Sequence, residues 1–137
     1  MIVKCLKIFH GDREEVKKDT FETVGKCYQV LEISVSSDQM YFRIVPDQGG
    51  HPILVAAKYY QVITHTIPKN WILWQYREYS FCFGPEKWGN CTLWGESFWS
   101  SWDDCEPEAL KIYEEEMKII LETENLNDYQ DPQFINR

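Results

Sequence analysis

Apolar and polar residues alternate along much of the first half of the chain, as they do in half-buried β-strands. Residues 27–35 are the clearest case, because alternate positions place five residues on one face of a strand. These five are Cys27, Gln29, Leu31, Ile33 and Val35. Segments rich in β-branched and aromatic residues predict further strands at 2–9, 40–46, 51–56 and 59–64, with a short 3₁₀ turn between the last two.

The pattern then changes twice. Residues 65–76 and 79–85 predict two more strands, and Pro68 and Pro85 mark their boundaries. Residues 86–102 predict an aromatic-rich loop or a few short turns, because they combine four tryptophans with Gly89, Asn90 and Gly95, which disfavour regular structure.

The last third of the chain has the period of an amphipathic helix. Its apolar positions lie at offsets of 0, 3, 7, 10 and 11, which form one face of a helix. They are Leu110, Tyr113, Met117, Ile120 and Leu121, and Ile112 and Ile119 widen the face. Pro107 suits the first turn, so we predict a helix over residues 105–124 and a polar, loosely held tail over 125–137.

The order of elements in residues 1–64 resembles that of an SH3-like small barrel. The residues that carry the resemblance are TVGKCYQVLEIS, YFRIVPDQGGHPILV and AAKYYQVI. We therefore expect a single α+β domain over 1–137, with a mostly antiparallel SH3-like barrel or sheet in 1–64. Extra strands and the aromatic loop would occupy 65–102, before the C-terminal amphipathic helix. In such barrels the first long loop is often a binding loop.

The charge is distributed unevenly along the chain. Residues 1–102 carry eleven acidic and eleven basic side chains, whereas residues 103–131 carry eleven acids against Lys111 and Lys118. Arg137 brings the formal net charge to −8. A negative region of this kind repels phosphate backbones, which argues against nucleic-acid binding. It attracts basic protein surfaces instead.

The sequence contains no apolar window long enough for a membrane helix, and its start lacks the organisation of a signal peptide. We therefore expect a cytoplasmic protein with no membrane partner. The five cysteines form no CxxC pair, so reduced thiols are the default in that compartment. A zinc site built from Cys82, Cys91, Cys105 and one histidine is disfavoured, because the spacing of the cysteines matches no zinc template.

Catalytic signals are also missing from the sequence. The three histidines are isolated, and no hydrolase, metalloprotease, phosphate-loop or dinucleotide motif is present. We expect no enzymatic activity, no cofactor and no metal.

The candidate site is a run of aromatic residues followed directly by acids. It consists of Trp94, Phe98, Trp99, Trp102, Asp103, Asp104, Glu106 and Glu108. One interpretation is structural, with the rings forming a second core and the acids capping the helix. The other is a partner-binding surface, since tryptophan is enriched in interface hot spots. In an extended chain Phe98 and Trp99 cannot both point inward, so we expect at least one of them to face solvent or a partner.

Three stretches resemble small bacterial immunity proteins of toxin–immunity systems. They are IPKNWIL, FCFGPEKW and FWSSWDDCEPEALKIYEEEMKIIL, and together they lie within residues 67–121. The resemblance implies a non-catalytic protein that binds a cognate toxin, typically a basic nuclease, and occludes its active site. The alternative is an SH3-like adaptor or regulatory module. Its binding would centre on the first barrel loop, 12–22, and on Tyr28, Tyr41, Tyr59 and Tyr60.

Overall fold

The structure, a computed structural model, describes residues 1–9, 14–75, 78–89 and 97–135. The β-strands in this part of the chain are β1 Ile2–Cys5, β2 Ile8–Phe9, β3 Glu15–Val16, β4 Cys27–Gln29, β5 Glu32–Ser36, β6 Gln39–Ile44, β7 Ile53–Ala56, β8 Tyr60–Thr64, β9 Trp71–Gln75 and β10 Ser80–Pro85. A 3₁₀ turn, Ala57–Tyr59, joins β7 to β8 as predicted.

The described strands form three separate antiparallel sheets. A five-stranded sheet has the order β7-β6-β5-β10-β9, a three-stranded sheet has the order β4-β1-β8, and β2 pairs with β3. The expectation of an α+β fold with mostly antiparallel sheets is confirmed. Of the SH3-like barrel or sheet expected for residues 1–64, the described strands form open sheets and no closed barrel.

The segment 27–35 is not one strand but two. Cys27–Gln29 pairs with β1 in the small sheet, whereas Glu32–Ser36 pairs with β6 and β10 in the large sheet. Val30 and Leu31 lie between these strands and are completely buried, so the chain changes sheets inside the core. In the turn that follows β6, Gly49 and Gly50 take φ values of 76° and 82°, which glycine tolerates.

The described helices are α1 Glu86–Gly89, α2 Phe98–Asp103 and α3 Pro107–Thr123. The prediction of a long C-terminal helix is confirmed, with Pro107 in its first turn. Within residues 86–102, where a loop or a few short turns were predicted, α1 and most of α2 form as short helices. Ser97 begins α2 by accepting a hydrogen bond from the Ser100 N–H at 3.1 Å, a capping contact that favours a helix there.

Two hydrophobic cores lie on opposite faces of the five-stranded sheet. The first lies between the two larger sheets and includes Val3, Tyr28, Phe42, Ile44 and Trp71. The second lies beneath the three helices and includes Leu31, Trp88, Phe98, Ile112 and Ile120. The molecule is therefore layered as small sheet, large sheet and helices.

The buried face of α3 differs from the predicted one. Its fully buried positions are Ala109, Ile112, Glu116 and Ile120, whereas Leu121 is 52% exposed. The centre of the buried face therefore lies about one residue before the centre that the apolar positions predicted. The apolar pattern could not indicate this, because one of the buried positions is occupied by the charged residue Glu116. Glu116 accepts a hydrogen bond from the Asn70 side chain, which supplies a polar partner for the buried carboxylate.

The tail makes defined contacts that its polar composition did not indicate. Short 3₁₀ turns form at Leu126–Asp128 and Pro132–Phe134. Between them the buried side chain of Gln130 bonds to both backbone groups of Cys27. The chain beyond α3 is thereby attached to β4.

Candidate protein-binding surface

The turn between α2 and α3 places four acidic residues at one corner of the molecule. The Cys105 N–H donates to the Trp102 carbonyl at 3.0 Å, and the Glu106 N–H donates to the Ser101 carbonyl at 3.1 Å. Together with φ = 55° at Cys105, these bonds define a Schellman motif, which ends α2 and reverses the chain. We call Asp103, Asp104, Glu106 and Glu108 the acidic corner.

Three of these carboxylates are available to a partner. Asp104, Glu106 and Glu108 are exposed, and they form no ion pair with any residue in the described part of the chain. Asp103 is exposed too, but its Oδ1 lies 2.8 Å from His51 Nδ1, an ion pair whenever His51 is protonated. The corner therefore carries negative charge that the chain itself leaves largely uncompensated.

The positions of these acids correct one expectation. Asp103 ends α2 and Asp104 is its C-cap, so neither caps the start of α3. Negative charge at a helix C-terminus is unfavourable, because the carbonyl ends of the helix dipole are also negative. Glu106 is the N-cap of α3 but makes no side-chain capping bond, and only Glu108 lies within its first turn. Capping does not account for the two aspartates.

Several acids farther along α3, though not the exposed Glu114, lie close to the chain's own lysines. Lys87 lies 3.7 Å from Glu115, Lys111 lies 4.0 Å from Glu115, and Lys118 lies 4.0 Å from Glu122. Pairs at these distances between exposed side chains are weak. They nevertheless distinguish the body of the helix, where charges of both signs meet, from the acidic corner.

The aromatic residues before the corner form a packed cluster. We call Trp88, Phe98, Trp99, Trp102 and Tyr113 the aromatic cluster. Trp88 stacks on Phe98 with ring centroids 5.4 Å apart and on Tyr113 at 5.8 Å, and Trp102 lies 5.3 Å from Tyr113. This arrangement fixes α2 against α3 and gives the acidic corner a rigid support.

The predicted aromatic contacts have different accessibilities. Phe98 is only 2% exposed, so it supports the surface from below, whereas Trp99 and Trp102 are half-buried. The argument that Phe98 and Trp99 must diverge assumed an extended chain, and it fails because both lie in α2. Trp94 falls outside the described residues. Trp99 and Trp102 thus present partial edges to solvent beside the corner.

One feature next to this cluster had no signal in the sequence. Glu32 is 3% exposed and accepts a hydrogen bond from Arg43 Nε at 3.2 Å, across the β5–β6 pair. Burial raises the pKa of the Glu32 carboxyl, while Arg43 and the indole of Trp99 oppose the rise. The Arg43 guanidinium lies 4.2 Å from the Trp99 ring centroid, in a cation–π contact.

The alternative hypothesis, an SH3-like adaptor module, places its binding residues on the opposite side of the large sheet. A groove of about 270 Å³ is lined by Phe9, Phe21, Glu22, Tyr59 and Tyr60, among others. Tyr60 donates a 2.5 Å hydrogen bond to Glu22, and burial raises the pKa of that carboxyl. Asp12 and Arg13 of the predicted loop fall outside the described residues. Tyr28 is buried in the first core, and Tyr41 does not line the groove.

The described residues contain no group of three or more histidine, cysteine or acidic side chains able to hold a metal ion. Cys91 of the disfavoured zinc set lies outside that part of the chain. No helix in the described ranges has both the length and the apolar character needed to cross a bilayer.

No protein-family model, no curated protein and no solved structure matches this chain.

Proposed function

We propose that this protein is a non-catalytic immunity protein that binds and neutralises a basic toxin in the cytoplasm. The observation that carries the proposal is the set of exposed, unpaired carboxylates at the acidic corner. A toxin that acts on nucleic acid needs lysines or arginines in its active site to hold phosphates. Carboxylates at this corner would pair with those side chains and occlude the site.

The two parts of the proposed surface would have different roles. The acidic corner would steer the toxin during encounter, and the tryptophans beside it would anchor the bound toxin. The negative field of the corner accelerates encounter with a cationic partner, and this effect weakens as salt screens it. The exposed edges of Trp99 and Trp102 would supply desolvated contacts at the centre of the interface. Because the aromatic cluster is already packed, little side-chain freedom would be lost on binding.

The test is a charge reversal at the corner, in which Asp104, Glu106 and Glu108 are all changed to lysine. The partner is the toxic segment encoded beside the gene for this protein, if one is encoded there. We expect calorimetry to show affinity at least about a hundredfold weaker, because truncating one desolvated charged pair already costs about 2–5 kcal/mol. Growth rescue in cells expressing the toxin should be lost as well.

A matched control separates local pairing from net charge. Reversing Asp38, Glu78 and Asp128, which are exposed and distant in sequence from the corner, changes the net charge equally. We expect that variant to bind within a few-fold of the original. If both triple variants lose affinity equally, or if the unaltered protein binds no toxin from its own locus, the proposal is wrong.

A second candidate is an SH3-like protein-binding module that acts through the groove on the other side of the large sheet. Phe9 and Phe21 support it, because they are 40% and 42% exposed and form part of one lining. Changing Phe9 and Phe21 to serine discriminates between the candidates. It should leave toxin binding intact if the acidic corner docks the partner, and abolish partner binding if the groove does.

A further inference from the structure

One edge of the five-stranded sheet is a free strand. β9, Trp71–Gln75, pairs with β10 on one side and with no described strand on the other. The Glu86 N–H donates to the Asn70 carbonyl at 2.8 Å, so alternate peptide groups from Asn70 onward face β10. Those of Leu73 face the other way, and they make no hydrogen bond within the described part of the chain.

The side chains at this edge are apolar and accessible. Leu73 is 65% exposed and Ile72 is 39% exposed, and β9 contains no charged residue. Natural sheets usually protect a free edge with a charge, a proline or a bulge, because unpaired peptide groups recruit other strands. None of these devices lies within β9 itself. The strand is therefore open to pairing with a further strand.

We propose that the protein forms a dimer in which β9 pairs antiparallel with β9 of a second copy about a two-fold axis. The register that pairs the whole strand places Leu73 opposite Leu73 of the second copy, and Ile72 opposite the second copy's Trp74. These cross-strand pairs are all apolar, which stabilises the pairing on both faces of the joined sheet. Because the same strand supplies both sides, the contact is isologous and closes at two copies.

The charges that flank β9 favour a second copy as the occupant. Lys69 precedes the strand and Glu78 follows it, and both are exposed without an ion pair to any described residue. In the proposed register, two-fold symmetry brings Lys69 of each copy to the end of the strand where Glu78 of the other copy lies. Opposite charges therefore meet twice across the contact. Glu78, Tyr79 and Phe81 line a depression of about 460 Å³ beside the edge, where the lysine of the other copy can lie.

The opposite edge of the same sheet supplies a matched control. Leu54, within β7, is 44% exposed, and its peptide groups also face outward, because the carbonyl of its cross-strand neighbour Arg43 accepts from Leu31 on the far side of β6. Unlike β9, β7 borders a groove whose lining includes Phe9 and Phe21. These rings lie beside the free edge, so the sheet of a second copy cannot approach it as closely as it can approach β9.

Sedimentation equilibrium of the full chain tests the dimer. A contact between two single strands is small beside the roughly 800 Å² per partner of a standard interface, so we expect a weak dimer with a dissociation constant on the order of 10 μM. Leu73→Glu places two like charges opposite each other at the two-fold axis and should weaken the dimer at least about a hundredfold. Leu54→Glu adds the same charge at the other edge and should leave the dissociation constant within about twofold.

A charge swap tests the register. Lys69→Glu replaces both attractive contacts with repulsive ones and should weaken the dimer about tenfold. Adding Glu78→Lys to the same chain restores opposite charges at both ends, and the dissociation constant should return to within about threefold of the original value. This rescue separates the pairing of Lys69 with Glu78 from a general effect of net charge.

Amide hydrogen exchange of the unaltered protein locates the contact without any variant. Above the dissociation constant the Leu73 N–H should exchange at least about tenfold more slowly than in dilute solution, whereas the Leu54 N–H should not change. Circular dichroism checks that each variant is folded. The proposal is overturned if the protein stays monomeric up to about 1 mM, a hundred times the expected dissociation constant. Open-ended oligomers, a dimer that survives Leu73→Glu, or a Leu73 N–H that concentration does not protect would overturn it too.

Discussion

The attachment of the tail to β4 gives the sharpest stability prediction. Gln130 Oε1 accepts from the Cys27 N–H at 2.7 Å, and Gln130 Nε2 donates to the Cys27 carbonyl at 3.0 Å. Because β4 is an edge strand of the small sheet, the amide acts as one additional rung of its ladder. A side-chain amide supplies both the donor and the acceptor that this geometry needs.

Changing Gln130 to glutamate removes the donor and places a carboxylate against the Cys27 carbonyl. One net hydrogen bond is worth about 1 kcal/mol, and the uncompensated, mostly buried charge adds about 2 more. We therefore expect Gln130→Glu to lower the free energy of unfolding by about 3 kcal/mol at pH 7. The melting temperature should fall by about 10 °C. Gln130→Ala should cost about 2 kcal/mol, because it loses two bonds without burying a charge.

The dependence on pH separates this mechanism from a general weakening of the tail. The pKa of the new carboxyl would be higher in the folded than in the unfolded state, so the protonated form is favoured by folding. The loss of unfolding free energy caused by Gln130→Glu should therefore shrink as the pH falls from 7 to 4, since a protonated carboxyl can donate to the Cys27 carbonyl. The cost of Gln130→Ala should stay constant over that range.

Urea unfolding at pH 7 and pH 4 measures both variants. Gln133→Glu, an exposed change three residues farther along the tail, is the control for added charge and should cost less than about 0.5 kcal/mol. If Gln130→Glu and Gln130→Ala cost the same at both pH values, the paired hydrogen bonds do not hold the tail.

Two further predictions concern a half-buried acid and a strained residue. Because the pKa of Glu22 is raised on folding, the stability that it contributes is present at low pH and is lost as the pH rises through that value. Glu22→Gln, which still accepts from Tyr60, should therefore gain stability relative to the original protein between pH 4 and pH 7, measured by urea unfolding; a loss would contradict this sign. Cys105→Gly should raise the unfolding free energy by about 1 kcal/mol in thermal melts, since φ = 55° strains a side chain; no gain would exclude that strain.

The spacing of apolar residues within short windows was sufficient to predict several strands and the long helix, but not how they are arranged in space. The strands β6, β7 and β8, the 3₁₀ turn and the long helix follow from spacing within short windows. The division of residues 27–35 does not, because β10 pairs with β5 across more than forty residues of chain. The helix at Phe98–Asp103 was also missed, since the aromatic and glycine content around it outweighed the capping signal of Ser97.

The candidate site shows the same division. Its acidic residues and their concentration near one end of the chain are visible in the sequence, and the fold leaves three of them exposed and unpaired. The burial of Phe98, the pairing of Asp103 with His51 and the contact of Arg43 with Trp99 are not visible there, because each depends on partners from other parts of the chain. None of the three leaves a periodic signal.

The sequence by itself determined most of the strand segments, the long C-terminal helix and where negative charge accumulates, because these depend on residues close together in the chain. The tertiary structure decided which polar side chains are buried and which charges stay uncompensated. Glu32, Glu116 and Gln130 are all polar residues, yet each is buried because a partner from another element satisfies it. Whether a polar side chain can be buried depends on a hydrogen-bond partner as well as on the side chain itself, and these partners come together only when the chain folds.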